Sequence, residues 1–328
     1  MSRILALNPG GIGDQILFFP TLQGLRDRFS RSRIEVIVEP RSQGAYRICP
    51  WVDETLLFDF KADPSLADWM NLVGIIRDRH YDAVLSVGSS PAISLLLWMT
   101  GIPTRVGYGA WLTERFLTRS VVLDRNQYAA AMYADLLTGF DIEQGNIVPK
   151  VEVRPDDIKW ANQYLDQIGA KKPIILHPGA SKLAEQKGIR KLYPAESWVQ
   201  VIQKLSQKQP DLVFTVAQGP DDQALVTQLK QSIGEKVTFV QPPDIGKLAA
   251  LISLSRLLLC VDSAPMHLGV GTGTPLVALF GPTLPGKLLP VDPRFIALVS
   301  PERTQVDRIP VDSIVQAANK LLSVSPVS

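Results

Sequence analysis

The run Asn8-Pro9-Gly10-Gly11-Ile12-Gly13-Asp14 sets one carboxylate on a glycine-rich turn. The turn joins an aliphatic stretch, Ile4 to Leu7, to a helical pattern carrying Ile16, Leu17, Phe19, Leu22 and Leu25. Gly10, Gly11 and Gly13 there would let a ligand approach the backbone closely. Two chemistries suit Asp14. Aspartate is strongly preferred at a helix N-cap, and an aspartate on a strand-tip turn can also accept the proton of a substrate hydroxyl. A nicotinamide-dependent oxidoreductase is a weak reading, because Gly11-Ile12-Gly13 is followed by Asp14-Gln15-Ile16 and the third glycine of G-x-G-x-x-G is missing. Asp14 would also bring negative charge to a helix end that a pyrophosphate needs for itself.

A second group of residues lies far downstream. In Leu257-Leu-Leu-Cys-Val-Asp262-Ser263-Ala264-Pro265-Met-His267, a buried strand meets a polar turn and then a helix. Ser263 can cap that helix, Pro265 suits its first turn, and the free N–H groups would point at an anion. His267 can reach the same anion or sit as a satisfied buried histidine. Upstream, a strand ends in His177-Pro178-Gly179-Ala180-Ser181, and Lys191 stands before a helix opened by Pro194. As a point charge Lys191 can hold a phosphate, or it can be a solvated loop lysine. Asp221 and Asp222, after the strand Leu212 to Val216, can bind a ribose diol or serve as ordinary helix-start acids.

These groups need strands and helices in alternation to hold them. Short aliphatic runs at Ile4–Leu7, Ile34–Val38 and Ala83–Val87 alternate with helical patterns, beginning with about Asp14 to Phe29. After a polar stretch near 145–155 and a helix around Ile158–Ile168, the alternation restarts. Ile174–Leu176, Leu212–Val216, Val237–Val240, Leu257–Val261 and Leu276–Leu279 read as strands. This is the pattern of βαβ units, so we expect an α/β protein with two parallel-sheet domains, 1–155 and 156–328, and a ligand cleft facing the carboxyl ends of both sets of strands. The chain's 328 residues suit two cores of ordinary size. A last helical pattern, Ile314 to Leu322, fits on either domain.

Composition narrows the function. A net charge of +2 argues against a nucleic-acid partner, which calls for a concentrated basic surface. Cys49 and Cys260 show no metal-ligand or disulfide spacing, which fits a reducing cytoplasm. The most apolar runs fall short of the roughly 20 residues of a membrane span, leaving a peripheral contact at most. Arg26, Arg28, Arg31 and Arg33 cluster at the end of the first helix, where cations compensate the helix dipole or meet acidic acceptor groups or anionic lipid heads. Trp98, Tyr108, Trp111 and Phe116 interleave with Arg105, Arg115 and Arg119, as core aromatics or as an acceptor or membrane contact.

Taken in order, the motifs resemble glycosyltransferase family 9, the ADP-heptose:lipopolysaccharide heptosyltransferases. They are Gly-Gly-x-Gly-Asp, His-Pro-Gly-Ala-Ser, Lys-x-Tyr-Pro-x-Glu-x-Trp, and Asp-Ser-Ala-Pro-Met-His-Leu followed by Gly-Thr-Pro-Leu-Val-Ala-Leu-Phe-Gly-Pro-Thr, spanning residues 4 to 283. The resemblance implies a GT-B architecture: two Rossmann-like domains facing a central cleft, the first binding acceptor and the second nucleotide-sugar. It implies an inverting transfer with no metal and no cofactor, and no D-x-D triplet occurs in the chain. By the same resemblance Asp14 is the base and Lys191 neutralises the leaving diphosphate. Asp262, Ser263 and His267 match the D-[ST]-G-x-x-H block around the nucleotide-sugar, and Ala180 and Ser181 match its phosphate-loop positions. Ala264 stands where the family has glycine, and Asn8-Pro9 where it has a basic residue. The implied partners are a nucleotide diphosphate sugar and a glycan or glycolipid acceptor of the cell envelope, at the inner face of the cytoplasmic membrane. A nucleotide-sugar-binding protein without transferase activity is the rival reading.

Overall fold

The computed structural model describes residues 1–179, 191–233 and 237–323. The chain divides into two compact units, Met1–Lys150 and Val151–Ser328.

The first unit runs β1 (Arg3–Asn8), α1 (Ile12–Arg28), β2 (Arg33–Val38), β3 (Glu54–Leu57), α2 (Leu66–Asp78), β4 (Ala83–Ser86), α3 (Pro91–Met99), β5 (Thr104–Gly109), β6 (Arg119–Val122) and α4 (Ala129–Ala134), with a 3₁₀ segment at Pro40–Ile48. Its six strands are all parallel in the order β3-β2-β1-β4-β5-β6. Central strands buried on both faces carry unbroken aliphatic sequence, as Ile4–Leu7 and Ala83–Leu85 do here. On one face Leu5, Leu7 and Val84 pack against Ile93, Leu96 and Leu97 of α3 and Leu72 and Ile76 of α2. On the other lies α1, which packs against α4.

The second unit runs α5 (Pro155–Gln167), β7 (Ile174–His177), α6 (Ala195–Lys208), β8 (Phe214–Ala217), α7 (Gln223–Ile233), β9 (Val237–Val240), α8 (Ile245–Ser253), β10 (Leu257–Val261), α9 (Ala264–Thr272), β11 (Leu276–Phe280), α10 (Pro285–Leu288), β12 (Phe295–Val299) and α11 (Val311–Ser323). Its strands are again parallel, in the order β12-β11-β10-β7-β8-β9. Read from its own first strand, each sheet has the order 3-2-1-4-5-6, the doubly wound arrangement whose ligand crevice opens where the winding reverses. That point lies between β1 and β4 in one sheet and between β7 and β10 in the other.

The two Rossmann-like α/β sheets are those the alternation predicts. Four strands escape the sequence pattern: β3, β6 and β12 are half-exposed edge strands, and β5 (Thr-Arg-Val-Gly-Tyr-Gly) breaks its apolar run with two glycines. The last helix, α11, packs on α6 and against β10, β11 and β12, so it belongs to the second unit. Of the aromatic stretch, Tyr108 is core while Trp98 and Trp111 face solvent. Arg26 is tied to Asp53 and to the carbonyls of Ser32 and Trp51, and Arg33 to Glu35 and Glu54.

Candidate functional site

At the tip of β1 the loop is built from its own side chains. Asn8 Oδ1 accepts the Gly10 N–H at 2.9 Å, and Asn8 Nδ2 donates to the Asp14 carbonyl at 3.2 Å. Buried Gln15 clamps the turn from within, its Nε2 donating to the carbonyls of Asn8 and Gly10 while Tyr46 donates to its Oε1 at 2.6 Å. Gly11 is the N-cap of α1 and Gly13 sits in its first turn. The Gly11 N–H donates to Asp14 Oδ2 at 2.8 Å, so Asp14 does cap the helix, from the N3 position. Capping uses one carboxylate oxygen. The other, Oδ1, faces the Tyr133 hydroxyl at 3.3 Å, and the half-buried side chain stands at the strand tip. A Cβ on Gly10 would lie 2.4 Å from Asp14 Cβ, so the glycine is needed to make room for the aspartate itself.

In the second unit, Tyr193 and Trp198 anchor the Lys-x-Tyr-Pro-x-Glu-x-Trp segment. Both rings are buried, 5.1 Å apart edge to face, and the Tyr193 hydroxyl donates to the Ile309 carbonyl at 2.7 Å. The motif's aromatics are therefore core, and they hold the chain just after Lys191. Lys191 Nζ reaches Asp262 Oδ2 at 2.6 Å, and the Thr283 hydroxyl donates to the same oxygen at 2.6 Å. Three segments thus converge on one buried carboxylate: the approach to α6, the tip of β10 and the tip of β11. Ser263 is the N-cap of α9 but caps nothing with its side chain, since its Oγ points to the Val261 carbonyl at 3.4 Å. The first turn of α9, with Ala264 and buried His267, lies immediately beyond Asp262. This places the positive end of a helix beside a lysine.

At the tip of β7, burial pushes the His177 imidazole below its ordinary pKa, against the opposing pull of Asp222, whose Oδ2 lies 3.7 Å from Nε2. Burial thus favours the uncharged imidazole. Asp222 is itself buried and accepts the Gly219 N–H at 2.8 Å; a Cβ on Gly179 would fall 1.7 Å from its Oδ1. Asp222 thus braces two strand-tip loops together, and its neighbour Asp221 is the exposed acid. Ala180 and Ser181 lie outside the described residues. Burial and the Asp262 charge push the Cys260 thiol well up, so this cysteine is no nucleophile. Sequence reasoning missed Tyr133, Gln15 and Thr283. Thr283 closes a Gly-Pro-Thr run that marks a strand tip, whereas nothing local in the sequence points to Tyr133.

Residues 69–314 match the family model described as glycosyltransferase family 9 (heptosyltransferase). The chain belongs to glycosyltransferase family 9. Membership in the family supports glycosyltransferase activity. Among curated relatives, lipopolysaccharide heptosyltransferase 3 of Escherichia coli is 23% identical over 291 residues, covering 83% of this chain and 81% of the relative. The photosynthetic NDH subunit of subcomplex B 1, chloroplastic, of Arabidopsis thaliana is 24% identical over 311 residues. That match covers 87% of this family 9 chain but only 66% of the Arabidopsis protein. Two solved structures share the fold. The glycosyl transferase family 9 protein of Veillonella parvula has a TM-score of 0.84 at 24% identity, with 98% and 97% of the two chains covered. E. coli ADP-heptose lps heptosyltransferase II has a TM-score of 0.79 at 20% identity, with 98% of each chain covered.

Proposed function

We propose that this family 9 protein transfers a heptose-like sugar from an ADP-sugar to a lipopolysaccharide-type acceptor, with inversion at the anomeric carbon and without a metal. The first unit takes the acceptor and the second the donor. The observation that carries the reading is the placement of Lys191, held by the Asp262 carboxylate, beside the start of α9, which has no side-chain cap; together they offer a diphosphate an ammonium group and free helix N–H groups. Asp14 accepts the proton of the acceptor hydroxyl as that oxygen attacks the anomeric carbon. The bond from that carbon to the diphosphate breaks, and the leaving ADP carries off the electron pair and its charge. Lys191 and the α9 N–H groups stabilise that charge, the task a divalent cation performs elsewhere. Attack opposite the leaving group inverts the centre.

A peripheral contact with the inner membrane, from the cytoplasmic side, completes the reading. Among the described residues no helix is long and apolar enough to cross a membrane. The edge of the first sheet exposes Trp111 and Leu112 on a turn after β5, and Val122 opposite Gly109, with Arg115, Arg119 and Arg125 also exposed around them. A second reading, a nucleotide-sugar-binding subunit without transferase activity, draws on the Arabidopsis relative, which is named as a subunit of an assembly. One experiment separates the two. The purified protein is titrated with ADP, GDP and UDP in EDTA, then given ADP-heptose and heptose-deficient lipopolysaccharide. Metal-independent ADP binding with sugar transfer supports the enzyme. ADP binding with neither transfer nor any effect of Asp14→Asn supports the binding subunit.

A further inference from the structure

The Asp14 carboxylate has a partner that lies outside every motif of the chain. Tyr133 is on α4, 119 residues away in sequence, and its hydroxyl lies 3.3 Å from Asp14 Oδ1. Its ring is nine-tenths buried and meets Phe18 of α1 edge to face, with centroids 6.0 Å apart and planes at 88°. That packing fixes where the hydroxyl points. Two N–H or O–H groups therefore address the two oxygens separately: the Gly11 amide takes Oδ2 and the Tyr133 phenol takes Oδ1. The amide alone would leave the carboxylate free to turn about its Cβ–Cγ bond; two donors from different elements fix its plane. The phenol is a dependable donor, because burial and the nearby Asp14 charge push its pKa well above the ordinary tyrosine value. Elements packed against α1 carry other titratable groups, namely Tyr46, Arg41 and Arg47 on the 3₁₀ segment and Asp135 after α4, and Tyr108 of β5 lies near Tyr133.

We propose that Tyr133 is a positioning residue for the transfer reaction, orienting the Asp14 carboxylate toward the acceptor hydroxyl through the bond to Oδ1. The proposal rests on the reading of Asp14 as the base. It also explains a position that core packing alone would leave to phenylalanine.

The first test needs no turnover. In protein labelled with [γ-¹³C]aspartate at pH 7, the Asp14 carboxyl signal is identified by its absence in Asp14→Asn and compared between wild type and Tyr133→Phe. A displaced Asp14 signal, with the remaining aspartate signals in place, is expected; an unmoved signal overturns the proposal. The second test is a kinetic cycle with ADP-heptose and heptose-deficient lipopolysaccharide. Tyr133→Phe should lower kcat by about tenfold with KM for both substrates unchanged, and should add nothing in the Asp14→Asn background. An equal loss in both backgrounds marks Tyr133 as merely structural and overturns the proposal. Full activity in Asp14→Asn overturns the base reading, and this proposal with it. An inactive Asp14→Asn beside a fully active Tyr133→Phe overturns this proposal alone.

Discussion

The two sheets share one strand order, yet their reversal points are equipped for opposite chemistry. In the first, the start of α1 is occupied by the protein's own carboxylate: Asp14 takes the Gly11 amide and makes that helix end acidic. In the second, α9 begins at Ser263 with no side-chain cap, and the carboxylate that stands there, Asp262, is matched by Lys191. A helix N-terminus that carries its own half-buried carboxylate repels a phosphate, whereas one with a lysine beside it attracts it. On the proposed reading, the same crevice serves a proton acceptor in one unit and an anion seat in the other. Sheet topology places a site, and the first side chains beyond the strand tips decide its use.

The difference predicts two kinetic signatures. Asp14→Asn removes the base but not the anion seat, so kcat should fall by about 10²- to 10⁴-fold with ADP affinity unchanged. Lys191→Met strikes the other site and should lower kcat by about 10²-fold while also weakening ADP binding. Steady-state kinetics with parallel calorimetric titration of ADP read both. If Asp14→Asn weakened ADP binding as much as Lys191→Met does, the division of labour would be wrong.

Glycine substitutions sharpen the contrast at the next level. A methyl on Gly10 would meet Asp14 Cβ at 2.4 Å, while one on Gly11 would find its nearest neighbour, Asp14 Oδ2, at 3.7 Å. Gly10→Ala should displace the carboxylate, costing about 1–3 kcal/mol of stability and most of kcat. Gly11→Ala, one residue on, should leave kcat nearly unchanged and cost less stability, up to about 1 kcal/mol, because alanine is a poorer N-cap than glycine. Thermal melts and turnover of the pair measure this, and equal behaviour would mean that the loop is not built around Asp14. In the second unit Gly179→Ala should act on Asp222 instead, loosening the two loops it braces without touching acceptor kinetics.

How much of this was legible in sequence follows from the range of each interaction. Asp14, its glycines, Lys191 and the Asp262-Ser263 turn lie on short segments where a strand tip meets a helix start, and residue type and spacing carry that information locally. The use of Gly10 was legible only as close approach; that the approaching group is Asp14 needed coordinates. Asp222 was legible as a ribose-binding acid or a helix-start acid because it follows a strand, and its packing against Gly179 has no local signature. Tyr133 was invisible for the same reason on a larger scale, since only folding brings α4 onto α1. The strands with unbroken apolar runs declared themselves, whereas β3, β6 and β12 did not because one side of each faces solvent, and β5 did not because glycines interrupt it.

The units also differ in how acid should affect them. In the first, the buried Glu35 carboxylate is surrounded by Arg3, Arg33, Arg79 and the Tyr81 hydroxyl. Burial alone would raise its pKa, but these hydrogen bonds prevail and hold it at about 2, against 4.5 when free. A depressed carboxylate contributes stability that is fully present above 4.5 and is lost as pH falls toward 2, an interval worth up to ~3 kcal/mol. In the second unit, burial lowers the His177 pKa, so below its ordinary value of 6.5 the unfolded chain takes up a proton that the folded one refuses. His177 should therefore cost stability from pH 6.5 downward, before Glu35 begins to respond. Melting temperatures from pH 7.5 to 3 test the order. Glu35→Gln should lower Tm at pH 7 and flatten the slope below 4.5, and His177→Gln should flatten the slope between 6.5 and 4.5. A Glu35→Gln protein whose Tm runs parallel to wild type down to pH 3 would show that the three arginines do not hold Glu35 ionised.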